Sequence, residues 1–237
     1  MKENNLFLFL KDHIASDFSA VAVLKETEDT RITHLRHNTS KQHFVLRDCP
    51  GRPDVYQKLL TVSCPNLPQI YEVAAEADRL LVLEEFIQGD SLQSILEYET
   101  LSIKQTKQIA LQVCKALWTL HSLGTVHRDV KPDNIILRGD EAVLIDFDAS
   151  RIQNPEKNAD TLILGTTGYA APEQYGLSQT DGRADIYALG IVMNVMLTGQ
   201  HPSTHLADGH MGRIIRHCTM VNPDQRYRDV LRLMEAI

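Results

Sequence analysis

Apolar residues change their spacing along this chain, and the change predicts a strand-rich first part and a helical second part. Between Val21 and Arg47, the runs Val21-Ala22-Val23-Leu24, Arg31-Ile32-Thr33-His34-Leu35 and His43-Phe44-Val45-Leu46-Arg47 are separated by polar turns, the pattern of three short strands. A helix is then expected to open at Pro53, since proline suits the first helical position and Asp54 suits the positive end of the helix dipole. Val55, Leu59 and Val62 would form its apolar face. Further on, Ser102-Ile103-Lys104-Gln105 reads as a capping box, and Ile103, Ile109, Val113, Leu117 and Leu120 mark the buried face of a helix that Gly124 can close. Trp118, Met193 and Met196 are expected in the core, because apolar residues at helical spacing usually pack. The longest apolar stretch, Ile186 to Leu197, falls well short of the ~20 residues a membrane helix needs and predicts a buried core helix. At the start, Glu3 precedes the run Leu6 to Leu10, Lys11-Asp12 closes it, and no small-residue cleavage site follows. The expectation is an amphipathic N-terminal helix in place of a signal peptide.

At 237 residues the chain is long enough for a substantial buried core, and it shows no internal repeat and no low-complexity tract. A formal charge of −7 and a pI near 5.8 argue against nucleic-acid or anionic-membrane partners, which require a basic field. Cys49, Cys64, Cys114 and Cys218 have no C-x-x-C spacing, so neither a zinc site nor a disulfide framework is suggested. They read as reduced thiols of a cytoplasmic protein.

The chemistry is concentrated in five segments. His127-Arg128-Asp129-Val130-Lys131-Pro132-Asp133-Asn134 is followed by Asp146-Phe147-Asp148. Then come Gly165-Thr166-Thr167-Gly168-Tyr169-Ala170-Ala171-Pro172-Glu173, Asp185-Ile186-Tyr187-Ala188-Leu189-Gly190, and Asn222-Pro223-Asp224-Gln225-Arg226-Tyr227. A single such match is weak, but the set in this order resembles the protein kinase superfamily, and in particular compact bacterial serine/threonine kinases. Phosphoryl transfer needs a carboxylate for the attacking hydroxyl, a cation on the transferring phosphate and metal ligands, and all are present. The resemblance implies that Asp129 is the catalytic base, that Lys131 contacts the γ-phosphate, and that Asn134 and Asp146 hold magnesium. It also implies a buried Glu173–Arg226 ion pair, an Asp185 that hydrogen-bonds the catalytic-loop backbone, and a docking-turn threonine, Thr166 or Thr167, that contacts the catalytic aspartate and lysine.

The first part departs from the family. A glycine-rich loop ordinarily lets backbone N–H groups approach phosphate, yet Leu24 to Ile32 holds no glycine, with Lys25, Thr27 and Thr30 in the matching positions and Glu26, Glu28 and Asp29 beside them. The phosphate-gripping lysine of the third strand is matched by Arg47, and its glutamate partner on the next helix by Val55. Leu80 to Gly89 resembles the fifth strand entering the hinge. It puts Glu84 at the back of the nucleotide pocket, across the sheet from Arg47, and a buried carboxylate there calls for a partner. Backbone groups of Glu85 and Ile87 would bind adenine, with Ile136 beneath the ring. Asp148 stands where the family has glycine and is expected to face solvent.

The resemblance implies an α+β, two-lobed fold. A small, mainly antiparallel β lobe with one helix follows the N-terminal helix (about 1–88), and a larger helical lobe covers about 89–237, the two making one catalytic domain, 1–237. The implied cofactors are ATP and Mg2+, and the implied partner is a protein substrate with a serine or threonine hydroxyl. No nucleic acid, membrane segment or particular oligomeric state is implied. The alternative, supported by the missing glycines, Arg47 and Val55, is a pseudokinase, a nucleotide-binding or regulatory scaffold with weak or no transfer. Arg128 next to Asp129 further implies an activation segment ordered by phosphorylation, with Thr161 as the candidate site.

Overall fold

The computed structural model describes residues 3–152, 166–176 and 180–237. The chain divides into two compact units, Met1–Cys64 with Pro68–Ile87, and Pro65–Leu67 with Gln88–Ile237. Residues 65–67, expected with the small lobe, fold with the second unit. The reason is backbone pairing: the Asn66 side-chain amide donates to the Ala142 carbonyl (2.9 Å), and the Leu144 N–H donates to the Asn66 carbonyl (2.9 Å).

In the first unit, helix α1 (Glu3–Asp17) leads into strands β1 (Phe18–Glu26), β2 (Arg31–His37) and β3 (His43–Pro50). Helix α2 (Asp54–Leu59) follows, then β4 (Ile70–Glu76) and β5 (Arg79–Glu85). The strands form one antiparallel sheet in the order β1-β2-β3-β5-β4. Strand residues alternate between faces, and one face carries Leu35, Phe44, Ala74, Leu81 and Leu83, which bury Phe7, Leu10 and Ile14 of α1. Those helix residues recur at i, i+3 and i+7, as an amphipathic helix requires. The opposite face of β3 and β5 carries Val45, Arg47, Val82 and Glu84.

Helix α2 is short. Pro53 is its N-cap and not its first helical residue, and the helix ends at Leu59, so Val62 lies beyond it and is only half-buried; Val55, Tyr56 and Leu59 are its buried residues. The β1–β2 turn is tight: the Thr27 N–H donates to the Thr30 carbonyl (2.8 Å), and the Thr30 N–H donates to Thr27 Oγ1 (3.1 Å). Arg79 donates to the Asp29 carbonyl (2.6 Å) and pairs with Asp48, so the tip is tied to its own sheet. Glu26, Glu28 and Asp29 are exposed.

The second unit holds β6 (Asp90–Ser91), α3 (Leu92–Leu96), α4 (Ile103–Ser122), β7 (Thr125–Val126), β8 (Ile135–Arg138), β9 (Glu141–Leu144) and β10 (Arg151–Ile152). These are followed by α5 (Gly182–Thr198), α6 (Gly209–Cys218) and α7 (Val230–Ala236). Strands β6, β8 and β9 form a small antiparallel sheet, and β7 pairs with β10. The capping box forms as expected: Ser102 Oγ accepts from the Gln105 N–H, and Gln105 Oε1 accepts from the Ser102 N–H. Gly124 closes α4 with φ +67°, a conformation glycine adopts without strain.

Ile109, Val113, Leu117 and Leu120 are buried. Ile103 and Trp118 are not, at 58% and 43% exposed. Ile103 lies in the first turn beside the cap, and Trp118 is rotated off the buried arc that Leu117 and Leu120 share. Met193 and Met196 are fully buried on α5, whose Gly190 admits close packing: a Cβ there would come within 2.5 Å of Cys218 Cβ. All four cysteines are thiols. Among the described residues, no helix is long and apolar enough to cross a membrane.

Candidate active site

The catalytic loop follows β7 and ends in a 3-10 turn, Pro132–Asn134, before β8. Arg128 has φ +70°, a left-handed conformation that is strained for a side chain of this size. Asp185, in the first turn of α5 and fully buried, holds the strained peptide: Oδ2 accepts from the His127 N–H (2.9 Å) and Oδ1 from the Arg128 N–H (2.7 Å). His121 Nε2 donates to Asp185 Oδ2 (2.8 Å), and Gly182 leaves room for that ring, since a Cβ would stand 2.7 Å from it. Burial alone would raise the Asp185 carboxyl. The His121 hydrogen bond, the neighbouring imidazoles and the Arg128 N–H outweigh burial and hold it below the ordinary carboxylate value. His127 is fully buried; its Nε2 faces the Ile145 carbonyl (3.2 Å), and its Nδ1 accepts from the Asp129 N–H (3.3 Å). That is the bonding of a neutral ring, and burial accordingly pushes its pKa down.

Asp129 is surrounded by polar contacts. Lys131 Nζ lies 2.8 Å from its Oδ2, and Thr166 Oγ1 donates to its Oδ1 (2.7 Å) while accepting from Lys131 (2.8 Å). Of the pair Thr166 and Thr167, it is therefore Thr166 that makes the contacts with Asp129 and Lys131. Asn134 Nδ2 donates to both the carbonyl and the carboxylate of Asp129 (2.9 Å each). With that nitrogen engaged, Oδ1 is the atom Asn134 can offer a cation. Asp146 is carried next to this loop by the Ile145 N–H, which donates to the Asn134 carbonyl (2.8 Å). Its φ of +69° marks it, and not Asp148, as the residue in the left-handed region; Asp148 is exposed, and its N–H donates to Asp146 Oδ1 (3.3 Å). Phe147 is buried edge-on to His127, with ring centroids 5.6 Å apart. An amide oxygen and a carboxylate are hard donors of the sort Mg2+ takes alongside substrate phosphates, so the residues present fit the ion.

The docking segment is anchored from below. Glu173 and Arg226 form a bidentate, buried pair (2.7 and 2.9 Å), and Arg226 also donates to the carbonyls of Met220, Arg183 and Val221. Gln174 has a role that sequence reasoning missed. Its Nε2 donates to the Arg128 carbonyl (2.8 Å), and its Oε1 accepts from the Ala171 N–H (3.0 Å). The one available signal is its place directly after Ala171-Pro172-Glu173. His121 was missed as well, because its partner is 64 positions away. Ser150 donates to the His127 carbonyl (3.2 Å). Thr161 and Gly165 lie outside the described residues.

In the first unit, Arg47 Nε donates to Glu84 Oε1 at 2.7 Å, with both side chains only 5% exposed. The pair forms as the sequence implies, though not directly across the sheet. Glu84 is registered with Val45 and Arg47 with Val82, so the long arginine reaches diagonally along one face. The Glu85 N–H is committed to the Gln69 carbonyl (2.8 Å), and its carboxylate accepts from the Gln69 N–H (3.1 Å). Ile87 is buried at the end of this unit, and Ile136 is a half-buried residue of β8 in the second unit.

Comparison with known proteins agrees with this fold. Residues 54–232 match the family model of the protein kinase domain, and the chain belongs to that family. It is 30% identical over 217 residues to the serine/threonine-protein kinase PknA of Nostoc, covering 82% of this chain and 38% of that protein. It is 33% identical over 132 residues to serine/threonine-protein kinase A of Synechocystis, covering 50% of this chain and 25% of that protein. It is also 33% identical over 147 residues to a probable serine/threonine-protein kinase of Clostridium perfringens, covering 61% and 22%. The chain thus spans well under half the length of these curated relatives.

Proposed function

We propose that residues 1–237 form one catalytic domain that transfers the γ-phosphoryl group of ATP to a serine or threonine hydroxyl of a protein, in the cytoplasm. The observation that carries this reading is the contact set around Asp129, in which base, cation, docking threonine and metal-ligand amide meet through bonds of 2.7 to 2.9 Å. Asp129 orients the incoming hydroxyl and accepts its proton, and Lys131 sets a positive charge against the transferring phosphoryl. Asn134 and Asp146 would hold magnesium, which neutralises charge on the phosphate oxygens when bound. Arg47, its fork oriented by Glu84, would serve the phosphates. The Glu85 carbonyl and the Ile87 backbone would serve the adenine edge, with Ile136 against the ring. The similarity to serine/threonine kinases supports the hydroxyl acceptor, and four thiols suit a reducing compartment.

One observation favours a second reading, a nucleotide-binding scaffold with weak transfer: the glycine-free β1–β2 turn closes on its own hydroxyl and is tied to Arg79. Incubating the protein with labelled ATP, Mg2+ and a generic acceptor protein separates the two. Transfer by the wild type and none by Asp129→Asn is the expected result. No label in either protein, with nucleotide binding intact, would establish the scaffold instead.

A further inference from the structure

Asp129 follows directly on Arg128, whose left-handed backbone has to be held against its own strain. The Arg128 peptide is gripped at both ends. Asp185 takes its N–H (2.7 Å), and Gln174 donates to its C=O (2.8 Å). The two grips come from different places: Asp185 from the central helix α5, Gln174 from the 3-10 turn Pro172–Tyr175 at the end of the docking segment. Gln174 is 1% exposed, so its amide is desolvated and its bonds are worth more than they would be in water. The same side chain is also fixed from behind, because Oε1 accepts from the Ala171 N–H (3.0 Å). An amide is the group this place requires, with a donor for the Arg128 carbonyl and an acceptor for the Ala171 N–H on one planar head. Glutamate would present only acceptors when ionised, and an apolar residue would leave a buried carbonyl and a buried N–H without their bonds.

We infer that Gln174 is a positioning residue, coupling the docking segment to the backbone that aims Asp129, so that a displaced docking segment also loosens the catalytic base. The inference rests on the reading of Asp129 as that base. Its route is short: Ala171 N–H to Gln174, Gln174 to the Arg128 carbonyl, and the next residue along is Asp129. Thr166 gives a second tie between the same two segments, at the carboxylate itself, and the two ties constrain both ends of the Asp129 residue.

The test uses the full chain and three proteins, wild type, Gln174→Leu and Gln174→Glu, with two readouts. Hydrogen exchange of the peptide spanning residues 123–135 should accelerate about tenfold in Gln174→Leu, with α5 and the first unit unchanged. Turnover at saturating ATP and acceptor should fall about tenfold per folded molecule, while KM for ATP stays within twofold. In Gln174→Glu the protonated acid can still donate, so its activity relative to wild type should decline as pH rises, whereas the Gln174→Leu ratio stays flat. A merely structural role would lower the melting temperature of both variants and leave exchange of the loop, the kcat of the folded fraction and the pH ratio as in wild type. That result overturns the inference. Because loop exchange is measured whether or not the protein transfers phosphate, an inactive wild type would sink the kinase reading without deciding the role of Gln174, which the exchange rates would still decide.

Discussion

Removing the Glu84 carboxylate should be among the most destabilising single changes in the first unit. Glu84 and Arg47 are each only 5% exposed on their side chains and meet at 2.7 Å, so the guanidinium has been moved out of water against this carboxylate. Truncating one partner of such a pair typically destabilises by about 3–5 kcal/mol, because the remaining buried charge loses a counter-charge. Replacing both with apolar residues of similar volume is often neutral or stabilising. For a chain of this size 1 kcal/mol corresponds to ~2–4 °C in melting temperature, so Glu84→Ala should lower Tm by about 6–20 °C. Arg47→Met/Glu84→Leu should recover most of that loss. Far-UV circular dichroism is the appropriate signal, since Trp118, the single tryptophan, belongs to the other unit. Urea titrations of wild type, both single variants and the double variant complete a double-mutant cycle. The reasoning fails if Glu84→Ala loses less than ~0.5 kcal/mol, the size of an ordinary surface change. It also fails if the double variant loses the sum of the singles, for then the pair is not coupled.

Three further outcomes are expected. Asp129→Asn should keep its nucleotide stabilisation, about 2.7 kcal/mol at 100 times Kd for Mg-ATP, and a missing thermal shift in the variant alone would place Asp129 in nucleotide binding. His127 is held below its usual pKa of 6.5 chiefly by burial, so the unfolded chain binds the proton more readily than the folded one. Its contribution to stability is complete above pH ~6.5 and declines as pH falls below that value, a slope that should flatten in His127→Gln; an equal slope in both proteins would assign the acid sensitivity elsewhere. Gly190→Ala should destabilise by ~1–3 kcal/mol, because the new methyl would press on Cys218 at 2.5 Å, and a neutral effect in chemical denaturation would mean that α6 yields without penalty.

The grouping of Lys131 and Asn134 around Asp129 was legible because these residues are local. Asp129, Lys131 and Asn134 lie within six consecutive positions, and a single 3-10 turn brings them together wherever the rest of the chain goes. The Ser102–Gln105 box and the Gly124 closure of α4 were legible for the same reason, since a cap is satisfied by residues three or four apart. The Arg47–Glu84 pair could be anticipated from the resemblance, which puts the two charges at matching buried positions of neighbouring strands, but its diagonal register could not. Which residue stands opposite which depends on how β3 and β5 slide against each other, and apolar packing on both faces decides that.

Other features were settled by tertiary structure alone. The helical period predicts a buried stripe on α4 but not its width or where it ends, so Ile103 and Trp118 were placed wrongly. An amphipathic N-terminal helix was readable, yet that α1 covers the sheet face opposite Arg47 follows only from its packing on Phe44, Leu81 and Leu83, which alternate with Arg47 and Glu84. Beyond the place of Gln174 directly after Glu173, Gln174 and His121 carry no local signal, because an amide or imidazole inside the fold takes its meaning from a partner, and theirs are 46 and 64 positions away in the chain. Hydrogen bonds of that span form only once the helices have packed and excluded water, and until then the same side chains bond equally well to solvent.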